Sequence, residues 1–454
     1  MRLKPSVLAI SVAMAALFAG FGSVAHAKLT AVGRAGESTG VALGGERVLW
    51  TAQKRRVLAV RSAPLAGGAS VEVFRHRARD PLIIGDNELL AASPQRAALR
   101  AVSIRSKPRR GLEEVFVGSP SGPFSRLGLP ASELSSTQLE VGDQVVAVTG
   151  LNRADQRLVV IYEPGLPPLS RRLPESAKPA IVAGDLIAYD VQHDGPTLTS
   201  EIVVRDRRTW ALRSTLPVAD YEPDYDLAPD GTVVVVNKQG GLTLVSPFGV
   251  GRQLPRPRIP MSEPRFAGSM ITVKRGNGVG PEHVGIVSPM SGQARRLGPD
   301  TFEVGAMATS DRGVTWEANG CVLAATLSDP GAASVPAGPC PRAEAEMTLE
   351  QTQKLRGRVL RIPVDCISSP TRACHGELRV HEGHRVIGRG RFAIPVRGRR
   401  KVSVRLKRAP GRRLTRFVRT LGRLNETSVD VTTITVDPQG RKSTSKGPFY
   451  LARP

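Results

Sequence analysis

The chain has 454 residues, 41% of them apolar and 4% aromatic, with 46 Gly, 36 Pro and 4 Cys. That apolar share excludes a disordered chain, four cysteines are too few for a disulfide-built miniprotein, and the length implies two or more cores. The formal charge of +24 is unevenly spread, because residues 346–454 hold 25 Lys and Arg against 8 Asp and Glu, a net +17. The shift marks a domain boundary near Glu346. Arg outnumbers Lys 52 to 12, as a GC-rich coding sequence gives without selection. The aromatics that single-strand binders interleave with basic residues are scarce, so no nucleic-acid partner is expected.

At the start, Arg2 and Lys4 precede an apolar stretch, Val7 to Phe21, and then Ala25-His26-Ala27. This is the pattern of a signal peptide over residues 1–27, cleaved after Ala27. The stretch falls short of the ~20 residues of a membrane span, so no transmembrane anchor is expected. Export to a secreted or extracytoplasmic location follows.

From residue 28 to 345 a turn glycine followed by a short apolar run recurs. The glycines are Gly45, Gly85, Gly142, Gly184, Gly231, Gly268 and Gly313. Their mean separation of about 45 residues is the period of four-strand propeller blades. Within a unit the strands alternate, as in Thr232–Val236 followed by Leu242–Val245 across the turn Gln239-Gly240-Gly241. Trp50 and Trp316 fall inside strand runs and read as blade core. The expected fold class is therefore all-β: a seven-bladed β-propeller followed by a small β-sandwich.

Ala228-Pro229-Asp230-Gly231 resembles the S-P-D-G turn of TolB-type, WD40-like propellers, and Ser310-Asp311-Arg312-Gly313 is a looser version. The other five units lack that turn, and no unit carries the G-H…W-D signature. The resemblance covers roughly Lys28 to Arg342. It implies a toroid around a central channel, closed by pairing strands from the two ends of the domain, with Leu29-Thr30-Ala31-Val32 as the N-terminal contribution.

Residues 346–454 begin with a short helix or linker, Thr348 to Leu355, and resume alternation at Val359–Val364, Glu377–Val380, Arg391–Ile394, Lys401–Leu406 and Val429–Val436. Val402, Val404 and Leu406 face a core while Lys401, Ser403, Arg405 and Lys407 face outward. The segment looks like an immunoglobulin-like or fibronectin-like sandwich. It is similar to the Arg-rich C-terminal sandwiches of secreted proteins from GC-rich Gram-positive bacteria, including paired cysteines like Cys366 and Cys374. In an exported chain, the spacing favours disulfides Cys321–Cys340 and Cys366–Cys374 among three pairings. Each would stabilise by roughly 2.5 to 3 kcal/mol.

Catalytic signatures are thin. Gly118-Ser119-Pro120-Ser121-Gly122 has its serines misplaced for a nucleophile elbow. The roughly 109 residues after the propeller are too few for the hydrolase domain of prolyl-oligopeptidase enzymes. His375, His381 and His384 with Glu377 and Glu382 could hold a divalent ion, but Glu382-Gly383 reads as a hairpin turn that separates them, so no metal and no cofactor are expected. The densest acidic run, Asp220-Tyr221-Glu222-Pro223-Asp224-Tyr225-Asp226, joins two units. Ring faces beside carboxylates suit sugar or peptide recognition, so Asp220, Tyr221, Glu222, Asp224, Tyr225 and Asp226, with Trp210 upstream, form the candidate ligand site. The run also offers oxygen ligands to Ca²⁺ but lacks the glycine and terminal Glu of an EF-hand.

Two functions fit. The first is a non-catalytic, exported binding or scaffold protein, its propeller loops recognising an envelope protein or glycan and its basic domain meeting anionic cell-wall polymers. The alternative is a propeller-type glycoside hydrolase or lyase. That needs Asp224, Asp226 or Asp230 opposed across the channel by a carboxylate such as Asp143 or Asp185.

Overall fold

The computed structural model describes residues 30–34, 40–54, 56–78, 82, 90–106, 109–127, 134–193, 199–218, 223–255, 257–276, 282–298, 304–318, 321–327, 345–347, 353–355, 357–366, 373–395, 398–420, 427–436 and 442–452. Among them are seven antiparallel sheets of four strands, each a simple meander in chain order apart from the last. The leading strands of blades one to seven are Val41–Gly44, Leu90–Ala92, Ser135–Val141, Ile181–Ala183, Tyr225–Leu227, Met261–Ala267 and Val304–Thr309. Each touches its counterpart in the next blade, and the seventh touches the first, so these strands line the axis of a closed ring.

Closure uses the chain's beginning. Thr30–Arg34 pairs antiparallel with Cys321–Thr326 as the outer strand of blade seven, as the sequence anticipates. Because a strand from residue 30 completes a sheet built from residues 304–326, the ring cannot open without breaking that ladder. The strand lies close to blade one at Gly33, where an added Cβ would sit 2.4 Å from Trp50 Cζ2. Trp50 and Trp316 are both fully buried, each the largest side chain in the layer between two blades.

The glycine turns join the first and second strands of blades one, three, four, five, six and seven. Gly45, Gly184, Gly231 and Gly268 adopt positive φ of 60°, 56°, 89° and 58°, which a side chain strains to reach. Blade two is different. Its equivalent hairpin is Ser93-Pro94-Gln95-Arg96, between strands Leu90–Ala92 and Ala97–Ser106, and has no glycine. Gly85, the glycine expected to mark this blade, lies outside the described residues, and the period is uneven in the sequence because the hairpin itself falls further on, at Ser93–Arg96.

The C-terminal strands form one hydrogen-bonded sheet of eight, in the order 345–347, 359–366, 399–406, 385–394, 374–382, 427–436, 442–452, 353–354. The expected two layers are parts of this single curled sheet. Arg399–Leu406 and Arg385–Ile394 pair only at Gly388↔Leu406 and Arg389↔Arg405, making a corner. The curl brings the first strand back to the sixth, where Ala345 N–H donates to Thr435 Oγ1 at 2.9 Å. Leu360, Ile362, Val364, Leu378, Ile394, Val402 and Val404 fill the space between. Cys366 and Cys374 are bonded across the layers. Cys321 is also disulfide-bonded, while Cys340 lies outside the described residues.

Two expectations for this domain are corrected. Within the proposed helix or linker, Gln353–Lys354 is a strand, parallel to Leu451–Ala452. A helix occurs instead at Arg408–Thr420, where Gly411, Leu414 and Val418 plug one end of the core. Pro410 and Gly411 disguise it in the sequence. Both sit in the first turn, where a missing N–H costs little, and Gly411 fits against Leu406 and Arg358.

The closure makes a direct prediction. Gly33→Ala should destabilise the protein by about 1–3 kcal/mol through overpacking against Trp50. Urea denaturation followed by tryptophan fluorescence checks it, and an unchanged midpoint would mean the N-terminal strand does not bear on blade one.

Candidate functional site

Three regions carry chemistry beyond core packing, and the first is the acidic segment. Asp220, Tyr221 and Glu222 lie outside the described residues. Asp224, Tyr225 and Asp226 open blade five at the channel, but they point in different directions, as strand alternation requires. The Tyr225 ring is buried in the layer between blades four and five. Burial, then the charges of Asp190 and Glu140, push its hydroxyl pKa well up.

Asp226 points the other way, accepting the Phe266 N–H at 2.6 Å and facing the Arg265 guanidinium at 4.0 Å. Burial raises its pKa, with Arg265 and the N–H groups of Phe266 and Leu227 pulling it down. Asp224 accepts the Glu263 N–H at 3.2 Å. Glu263 sits in a bulge of blade six at φ 45° and bonds Lys274 Nζ at 2.6 Å. Burial opposes the Arg265 charge, yet Asp226, Glu140, Glu263 and Asp224 hold its pKa above the ordinary value. Glu140 belongs to blade three, across the ring. The axial polar cluster thus sets four carboxylates around Arg265 and Lys274, with Asp224 its solvent-facing carboxylate.

Trp210 is not part of that cluster. It lies in the hairpin between the third and fourth strands of blade four, at φ 64°, stacked 6.2 Å from Tyr189 with the Arg205 and Arg171 guanidiniums 5.7 and 6.0 Å from its ring. The other named carboxylates are scattered too. Asp230 accepts the Thr232 N–H within its turn, Asp143 is exposed in the first hairpin of blade three, and Asp185 pairs with buried Arg207. Asp143, Asp185 and Asp230 occupy the hairpin face, at the opposite end of the leading strands from Asp224. Ser119 of the serine-rich turn donates its hydroxyl to the Gly122 carbonyl at 2.7 Å. His375 and His381 stand at opposite ends of one strand with His384 in the following turn, and among the described residues no metal-binding group of three forms.

The second region was not read from the sequence. Exposed large apolar side chains gather at the hairpins between the third and fourth strands of four consecutive blades: Leu166, Leu212, Phe248 with Val250, and Met290. Phe248 and Met290 are 92% and 82% exposed, although turn tips ordinarily carry polar residues. Their turns, Ser246-Pro247-Phe248-Gly249 and Ser288-Pro289-Met290-Ser291, are closed by backbone and serine bonds that need neither side chain. Arg252 bonds the Pro289 and Met290 carbonyls and so locks the two tips together. A cleft of about 490 Å³ lies beside Leu166, lined in part by Arg96, Ser119, Ser125 and Glu163. The available signal was the repeated Ser-Pro-X turn with an apolar third residue.

The third region is the outward face of the C-terminal sheet. Lys401, Ser403, Arg405 and Lys407 are exposed over buried Val402, Val404 and Leu406, as alternation predicts. Arg389, Arg391 and Arg361 join them from neighbouring strands, and Arg408, Arg412, Arg413, Arg416 and Arg419 are exposed on the helix beside Phe417.

No family model and no curated protein matches the chain. Among solved structures it is similar to the β-propeller domain of the Trilobed protease from Pyrococcus furiosus, at 11% identity and TM-score 0.44, covering 67% of this chain and 93% of that one. It is similar to puromycin hydrolase at 16% identity and TM-score 0.45, covering 73% of this chain and 59% of that one. The Neurospora crassa Pan2 WD40 domain matches at 10% identity and TM-score 0.41, over 65% and 90% of the two chains.

Two predictions follow from the hairpin face. Phe248→Ser with Met290→Ser should change unfolding free energy by less than about 0.5 kcal/mol, because neither side chain is buried; a larger loss would give the tips a structural role. In blade four, the Thr209 N–H and then the Arg213 guanidinium hold the Asp206 carboxyl well below its ordinary pKa. A lowered carboxyl pKa stabilises the fold above the unfolded value of about 3.9 and loses that contribution as pH falls. The melting-temperature advantage of wild type over Asp206→Asn should therefore shrink below about pH 4. An advantage constant across pH would overturn this.

Proposed function

We propose that this chain is a non-catalytic, exported binding or scaffold protein of the cell envelope, with the basic C-terminal domain associating with anionic envelope polymers. The observation that carries the reading is the solvent-facing basic layer of that domain, in a segment of net +17. Its arginines and lysines stand outside the core and outnumber the domain's carboxylates 25 to 8, so the domain projects a positive field that a polyanion would neutralise.

The propeller supplies recognition. Its hairpin face fits an envelope protein better than a bare glycan, because rigid, protruding Phe248 and Met290 tips bury apolar area that a sugar polymer offers sparingly. The hydrolase or lyase alternative has less to rest on. Asp226 is committed to a backbone N–H and to Arg265, and Asp224 and Asp230 lie at opposite ends of one strand.

Co-sedimentation of the purified full-length chain with isolated cell envelopes tests the reading. Binding at about 50 mM salt should be lost at about 1 M, where the Debye length shrinks to ~3 Å. Absence of binding at low salt, or binding indifferent to salt, would overturn it.

A further inference from the structure

The basic face has an internal order that composition does not explain. Register places Arg405 opposite Arg389, Arg389 opposite Arg379, Arg379 opposite Thr432, and Thr432 opposite Lys446. Four cations therefore stand in one row across five neighbouring strands, spanning about 19 Å at the ~4.8 Å strand spacing. Like charges directly opposite on a sheet destabilise it. Here two of the three steps between arginines and their neighbours are arginine against arginine, and Arg391 flanks the row one pair along, opposite Glu377. Among the described residues the carboxylate bonded to the group is Glu377, whose Oε1 accepts Arg379 Nε at 3.2 Å and lies 3.5 Å from Arg389 Nε, while Asp430 stands exposed one pair along on the other side. Arg389 remains 63% exposed.

The fold goes out of its way to make this row. Arg389 is bracketed by Gly388 and Gly390, where an added Cβ would meet Leu406 at 2.8 Å and the Ser403 carbonyl at 2.8 Å. Those glycines let strand Arg399–Leu406 cross closely at the corner, and the crossing is what sets Arg405 beside Arg389. An excess of arginine over lysine runs through the whole chain, so the residue type is not the signal. The register is.

We propose that Arg405, Arg389, Arg379 and Lys446 form a track that binds a linear phosphate polymer laid across the strands. Guanidinium forks pair bidentately with phosphate oxygens, and successive forks one strand apart suit repeated anions on a single chain better than one isolated anion. The row turns through the corner between Arg405 and Arg389, a path that an extended, flexible hydrophilic polymer can follow. This proposal rests on the envelope-polymer reading and names the site that would serve it.

The probe is inorganic polyphosphate, titrated against the full-length chain by calorimetry, with orthophosphate and polyglutamate as comparisons. Polyphosphate should bind most tightly. The triple variant Arg379→Gln, Arg389→Gln, Arg405→Gln should lose about tenfold or more in affinity, since it removes three charge-assisted contacts. A helix triple of equal charge loss, Arg412→Gln, Arg416→Gln, Arg419→Gln, should change affinity less than about threefold if position rather than net charge decides. Arg389→Lys, which keeps the charge and the fold but removes the fork, should fall between wild type and the track triple. Equal losses in the two triples, no loss in the track triple, or polyglutamate binding as tightly as polyphosphate would overturn the proposal. If wild type binds polyphosphate through the track yet ignores envelopes, the site stands and the envelope reading fails. If envelope binding persists unchanged in the track triple, the site fails and the broader reading stands.

Discussion

The propeller depends on how its innermost strands satisfy their backbone. A leading strand pairs on one side only, and the bulges in blades three, six and seven withdraw further N–H groups from the ladder. A buried N–H without an acceptor costs about as much as a lost hydrogen bond. Blades two, three, five and six supply acceptors to the next. Glu113 of blade two accepts from Thr137 of blade three, Thr149 of blade three from Ala180 leading into blade four, Asp224 and Asp226 of blade five from Glu263 and Phe266 of blade six, and Glu282 from Val304 of blade seven. These ties fix the rotation of one blade against another, which apolar layers of Val, Leu and Ala alone would define loosely.

That constraint explains why the acidic segment misleads a reader of the sequence. Asp224-Tyr225-Asp226 looks like a surface loop rich in ligand groups, yet a three-residue strand turns one carboxylate to a neighbouring backbone and the ring into a core. Alternation was visible; which strand faced the axis was not, because that follows from ring closure and not from any local pattern. Trp210 was similarly legible as an aromatic near acidic residues, but its left-handed backbone returns it to Tyr189 and two guanidiniums. Gly turns, tryptophans inside strand runs and the Val402-Val404-Leu406 face were readable as local signals of turn chemistry or strand pattern, while the closing strand followed only from the resemblance to TolB-type, WD40-like propellers. The blade-two hairpin and the helix at Arg408–Thr420 were not, because one lacks glycine and the other opens with Pro and Gly where helices rarely advertise themselves.

The two domains treat charge in opposite ways. In the propeller, carboxylates and cations are spent on each other: Glu163 holds both Arg207 and Arg208, Asp206 holds Arg213, and Glu263 holds Lys274. The C-terminal domain has 8 acidic residues for 25 basic ones, so most of its cations have no carboxylate to meet. Asp365 takes Arg399 and Glu382 takes Arg413, both at the periphery, while the centre of the outward face has Glu377.

Such a face is costly by itself, and the architecture shows where the cost is borne. The Cys366–Cys374 bond ties the two layers at the end away from the glycine corner, and the helix closes the core with Gly411, Leu414 and Val418 while sending its arginines outward. Repulsion across the outward sheet, which includes the corner pair Arg389 and Arg405, therefore acts on a framework held by one covalent tie and one plug, neither of which involves the four cations of the row. Removing the arginines would relieve the repulsion without loosening that framework. Their register is consequently a property of the surface rather than of the core, and the partner proposed for it is a set of anions spaced along a line.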